Sequence, residues 1–132
     1  MAKLKINHYV VGPVQTNCYF AINDETKELI IIDPGYSPKQ LAERVRQEGC
    51  TPVAILLTHG HFDHIGALAG VKKEYPEIRV YAAAEEKEVM ESPALNLSSS
   101  FGAAFTAQAD IYLEDDAEIE VLGRKCKCLL VP

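Results

Sequence analysis

A wholly apolar run, Val53-Ala54-Ile55-Leu56-Leu57, leads without a break into Thr58-His59-Gly60-His61-Phe62-Asp63-His64. The apolar run is short and carries β-branched residues, which fits a strand buried on both faces. The second run is its opposite in character: three of the four histidines of the chain within six residues, with an aspartate among them. Such a chain has to present polar donors where a buried strand ends, and α/β proteins place their sites at the carboxyl ends of strands. Imidazole and carboxylate at this density suit a divalent transition metal, zinc above all, with iron or manganese as alternatives. Water bound to such an ion becomes hydroxide near neutral pH, so a metal site predicts hydrolytic chemistry.

The rest of the composition narrows the partners. At 132 residues the chain is long enough for one domain, residues 1–132, with a real core. Its formal charge of −6 argues against nucleic acid, which wants a basic patch. Lys72-Lys73 is followed at once by Glu74 and reads as a solvated helix face. The N-terminal residues lack the continuous apolar core of a signal peptide, and no apolar run reaches membrane-spanning length. A soluble cytoplasmic protein is expected. Cys126 and Cys128 stand one residue apart with no second pair at matching spacing, so they read as strand residues rather than metal ligands. Cys18 lies in an apolar stretch and reads as core.

Periodicity gives the elements. Residues 4–11 alternate as a strand, with Leu4, Ile6, His8 and Val10 on one side. Residues 17–22 and 28–32 are further strands around the polar turn 23–27, forming an antiparallel meander. Ser37-Pro38 predicts a helix start, serine as N-cap and proline in the first turn, and Gly49 closes that helix. Residues 64–75 read as a helix with Ile65, Leu68, Ala69 and Val71 inward, stopped by Pro76. Residues 79–82 form a strand and 83–91 a helix. Strands are expected at 111–113, 119–122 and 127–131, with an acidic turn, Glu114-Asp115-Asp116, between the first two. Strands alternating with helices after an antiparallel start give an α/β (α+β) sandwich.

His59 and His61 are two apart, and an extended or loop backbone lets both rings converge on one ion. Gly60 between them permits a tight turn. Asp63 and His64 come next, where a helix begins, and would crowd that ion, so a second metal nearby is the natural solution. Asp63 as a helix N-cap explains one residue and leaves the other three without a role. Thr58 has two readings, orienting a ligand or capping the turn, of which the cap is favoured, and His8, isolated, reads as a strand residue. Asp33, at the end of Ile30-Ile31-Ile32, has two readings. It can accept the second ring N–H of a metal-bound histidine, or it is a turn aspartate before proline.

Thr58–His64 resembles the signature of the metallo-β-lactamase fold superfamily, Thr-His-x-His-x-Asp-His. Thr16-Asn17-Cys18-Tyr19 is similar to the family's second strand, and Asp33-Pro34-Gly35 to the turn after its third. Asn96-Leu97-Ser98 with Phe101-Gly102 resembles small glyoxalase II-like hydroxyacylglutathione hydrolases. The resemblance implies an αββα sandwich of two sheets with helices outside. It implies that His59 and His61 ligate a first metal, and Asp63 and His64 a second. Asp63 would also hold the nucleophilic water, and Asp33 would support the ligands from behind.

One departure is large. The family takes a further histidine, a bridging aspartate and a last histidine from the second half of its fold, and here no histidine comes after His64. The ending Cys126–Pro132 resembles the strand before the family's Gly-His-Thr turn. The resemblance therefore implies the N-terminal part of that fold, with two ligands per ion where a catalytic zinc takes three plus water. Zinc binding is expected to be weak, activity of the chain alone low or absent, and self-association expected where apolar sheet is left uncovered. The implied function is a zinc-dependent hydrolase of a small-molecule thioester or similar acyl bond. Alternatives are a mononuclear-iron persulfide dioxygenase and a non-catalytic half-fold. A nuclease of the same signature is disfavoured by the acidic balance.

Overall fold

The computed structural model of the chain describes residues 4–11, 16–35, 37–58, 65–96, 98, 106–114, 118–121 and 124–127. The chain opens as the meander its alternation predicts. Strand β1 (Leu4–Val11) pairs antiparallel with β2 (Thr16–Asn23), and β2 with β3 (Glu28–Ile32). The β2–β3 turn is closed by Asn23, whose side-chain oxygen accepts from the backbone N–H of Glu25 and Thr26. Helix α1 (Pro38–Glu48) then crosses to β4 (Thr51–Leu57), which runs parallel to β3. Helix α2 (Leu68–Glu74) leads to β5 (Arg79–Ala83), parallel to β4. A 3₁₀ turn, Ala84–Glu86, and helix α3 (Lys87–Glu91) lead to β6 (Ile111–Leu113), parallel to β5. The result is a six-stranded mixed sheet in sequential order. Strands β7 (Glu118–Val121) and β8 (Arg124–Lys127) form a separate antiparallel pair.

The two faces of the large sheet differ. One carries Cys18, Phe20, Ile22, Leu29, Ile31, Ile55 and Val80, sealed by Leu41 and Val45 of α1, Leu68 and Val71 of α2, and Met90 of α3. The other carries a smaller cluster, Ala21, Ile30 and Ala54, against which Ile119 of β7 packs. Two sheets with helices on the outer face of the larger is the expected sandwich layering. Among the described residues no helix is long and apolar enough to cross a membrane.

Several local expectations are corrected. Val53 and Leu56 are half-buried, so β4 is sealed on the helix side and only partly on the other. Ser37 does precede α1, but in a left-handed conformation (φ 59°, ψ 59°) and with no side-chain cap bond. An N-cap that aims its oxygen at the first turn sits in extended geometry, which Ser37 lacks. The expected helix 64–75 is interrupted by a turn at Gly66–Ala67. Ala67 donates its N–H to the Pro34 carbonyl at 2.8 Å instead of to a helical one. That turn shifts the register, so Ala67 is fully buried and Ala69 exposed, the reverse of the expectation for residue 69. The strand at 79–82 runs one residue further, and the helix expected over 83–91 divides into a 3₁₀ turn and a short α-helix. Among the described residues the final strand covers Arg124–Lys127, beginning before the one expected over 127–131, of which residues 128–131 lie outside the described residues, as do Asp115 and Asp116 of the acidic turn.

Candidate metal centre

Parallel pairing in register, Ile32 beside Leu56, brings the ends of β3 and β4 side by side. The residues just beyond each strand therefore meet. The Asp33 N–H donates to the Leu56 carbonyl at 3.0 Å. The Thr58 N–H donates to Asp33 Oδ1 at 2.7 Å, and the Thr58 hydroxyl donates to Asp33 Oδ2. Asp33 is buried, at 5% exposure, and holds a left-handed backbone at φ 56°. Aspartate is one of the few side chains that tolerates that region.

The pairing gives Asp33 a role beyond that of a turn aspartate. Each of its carboxylate oxygens accepts a bond from Thr58, the residue directly before His59. Asp33 thus fixes the residue directly before His59. In the sequence Asp33 and Thr58 stand apart as two separate candidates. Their identities carry no sign of the pairing, which depends on the register of two strands far apart in sequence.

Cys18 lies in the same region, fully buried on β2. Burial and then the nearby negative Asp33 push its thiol up from 9.0 to about 12. A thiol so shifted stays protonated and makes a poor ligand or nucleophile, in keeping with a core role. His8, expected as a strand residue, stacks on Tyr19 with ring centroids 4.9 Å apart, and its Nε2 lies 2.7 Å from Asn17 Oδ1.

His59, His61, Asp63 and His64 lie outside the described residues, as do Cys126 and Cys128 for their side chains. Among the described residues no group of three or more histidine, cysteine, aspartate or glutamate side chains could hold a metal ion. The donor set of the 59–64 segment nevertheless fits a divalent transition ion on its chemistry, three imidazoles and a carboxylate. Thr58, the residue before that segment, stands at the carboxyl end of parallel strand β4.

Among the described residues, Asn96 and Ser98 are the remaining buried polar residues outside the first meander. Asn96 donates to the Met90 carbonyl at 3.3 Å and accepts from the Ser98 N–H at 2.9 Å, fastening the chain after α3.

Comparison with known proteins agrees with this layout. The chain is 40% identical over 131 residues to the "Probable metallo-hydrolase YqgX" of Bacillus subtilis, covering 98% of this chain and 61% of that relative. Over 80 residues it is 44% identical to a hydroxyacylglutathione hydrolase of Yersinia enterocolitica, covering 61% of this chain and 32% of that relative. Among solved structures, the BLEG-1 B3 metallo-beta-lactamase superposes with a TM-score of 0.84 at 38% identity, over 93% of this chain and 59% of that one. The protein TTHA1623, solved in a di-iron-bound form, superposes with a TM-score of 0.71 at 30% identity, over 86% of this chain and 56% of that one. The chain thus spans about three fifths or less of the length of these relatives. The sequence pattern of the metallo-beta-lactamase superfamily matches residues 11–126, and the chain belongs to that superfamily.

Proposed function

We propose that the chain carries the metal-binding part of a metal-dependent hydrolase that cleaves a small-molecule thioester or similar acyl bond. The observation that carries this reading is the Asp33–Thr58 pairing at the ends of two parallel strands, immediately ahead of a segment with four ligand donors. His59 and His61 would hold one ion, and Asp63 and His64 a second. Zinc, or iron in its place, supplies an acidified water and an electrophile for the carbonyl oxygen. Asp63 would orient the attacking water, while Asp33 and Thr58 keep the approach to His59 in place. Similarity to hydroxyacylglutathione hydrolases favours a glutathione thioester as substrate, and free Cys18 and Cys50 favour the cytoplasm as the site of action.

A mononuclear-iron persulfide dioxygenase, which oxidises the outer sulfur with dioxygen, is the second reading; the di-iron form of TTHA1623 supports iron as a metal of this fold and not that reaction. Incubating the zinc- or iron-loaded protein with a hydroxyacylglutathione and, separately, with glutathione persulfide separates the two. Thioester loss abolished by a chelator and by Asp63→Asn supports hydrolysis. Sulfite from the persulfide with no thioester loss overturns it.

A further inference from the structure

The segment with the histidines leaves the sheet at Thr58 and is rejoined by described chain at Ile65. Both of its flanks are held by one short turn between β3 and α1. On the incoming side Asp33 accepts from Thr58 and donates to Leu56. On the outgoing side the next residue, Pro34, accepts from the Ala67 N–H at 2.8 Å. Asp33 and Pro34 share a planar peptide, and the proline ring fixes φ, so few free torsions separate the two anchors.

A third point of contact lies at the far end of the same turn. Gly70 of α2 sits so close to Pro38 that a Cβ on it would lie 2.5 Å from Pro38 Cβ and 2.7 Å from Pro38 Cγ. Contacts below 3.0 Å are essentially never adopted, so α2 rests on the start of α1 only because residue 70 has no side chain. Alanine would be the better helix former at that position, so glycine is not explained by helix stability. Two non-glycine residues with positive φ, Asp33 and Ser37, bracket the turn. Such conformations persist where surrounding contacts over-determine them.

We propose that this turn sets the span between the two ends of the metal-binding segment, with Pro34 and Gly70 as positioning residues on its outgoing side. The proposal rests on the metal reading of residues 59–64 given above. A metal site works only if its ligands are held within about half an ångström. Moving residue 70 out to a 3.0 Å contact displaces α2 by that much. Gly70 is thus tied to the outgoing flank of the segment through α2 and Ala67.

Three proteins test it: wild type, Gly70→Ala, and Gly70→Ala combined with Pro38→Gly, which removes the opposing ring. Each is titrated with cobalt(II), read from its visible absorption, and monitored by amide exchange with its unfolding midpoint as control. Gly70→Ala should weaken cobalt binding about tenfold or more, the size seen when groups behind metal ligands are lost. It should also speed exchange across residues 59–66. The double variant should recover most of both. Unchanged cobalt affinity and exchange in folded Gly70→Ala overturns the proposal, as does a folded double variant that recovers neither. In the wild type, the Thr58 and Ala67 amides should exchange as one unit, within about threefold. Ala67 exchanging far faster than Thr58 overturns it even if Gly70→Ala does not fold. A wild type that binds no cobalt rejects the metal reading, and the exchange data then decide the turn by themselves.

Discussion

Asp33 combines a left-handed backbone with a carboxylate that accepts twice from Thr58, so its replacements separate the two contributions. Asp33→Gly removes the carboxylate but relaxes φ 56°; Asp33→Ala removes it and keeps the strain. Urea unfolding should find Asp33→Ala the less stable of the two by about 1 kcal/mol. Equal stabilities would mean that the backbone there carries no strain. Cys18 gives a second prediction at this scale. Its folded-state thiol value, about 12, lies above the ordinary 9.0. Below 9 both folded and unfolded forms keep the proton. Between 9 and 12 only the unfolded thiol ionises, so stability should fall as pH rises, at about 1.4 kcal/mol per unit. Comparing alkaline unfolding of wild type and Cys18→Ser isolates the slope. Native Cys18 should also react with thiol reagents far more slowly than half-buried Cys50.

Among the elements, those whose signals are local were legible. The meander alternates and turns at a polar run around Asn23, and α1 is stopped by Gly49, which caps it at φ 67° with its N–H on the Arg46 carbonyl. Nothing lies within 4 Å of a Cβ built at Gly49, so Gly49→Ala should cost only the strain of its left-handed backbone, about 1 kcal/mol in urea unfolding. Elements shaped by distant partners were not legible. The break at Gly66–Ala67 exists because a carbonyl at Pro34 takes the Ala67 N–H, and Ser37 turns left-handed at the far end of that same connection. The tie between α2 and β6 was equally hidden. Asp110, just before β6, accepts from Lys72 of α2 at 2.6 and 2.8 Å and from the Val80 N–H at 2.8 Å. Burial pushes its carboxyl up, but these bonds and the charges of Lys72 and Arg79 outweigh that and hold it below the ordinary value. A depressed carboxyl stabilises the fold above its unfolded value and loses that contribution as pH falls through the folded one. Lys72→Ala should therefore flatten the acid limb of the stability curve, although the pair's exposure keeps the effect small.

For the molecule as a whole, among the described residues the helix-side face of the sheet is closed and the buried cluster of the opposite face centres on Ile30 and Ala54. Ile6 and Val10, on edge strand β1, remain 57% exposed. Apolar side chains on an unpaired edge favour pairing with another chain. Light scattering over a dilution series should show association that Ile6→Lys with Val10→Lys reduces; a monomer at every concentration would show that this edge is tolerated in water. The family and its layering were legible from the Thr58–His64 run, because no other part of the chain concentrates ligand donors. Asp33 was legible as a support of those donors through the resemblance, whereas its bonds to Thr58 and the contacts of Pro34 and Gly70 arise only through folding. The function proposed for the chain stands or falls on this run being a metal centre. Isothermal titration of zinc into the wild type and into a His59→Ala, His61→Ala variant decides that point. The wild type should bind zinc weakly, and the folded variant should lose that binding. No binding by the folded wild type, or equal binding by both proteins, would refute the metal centre.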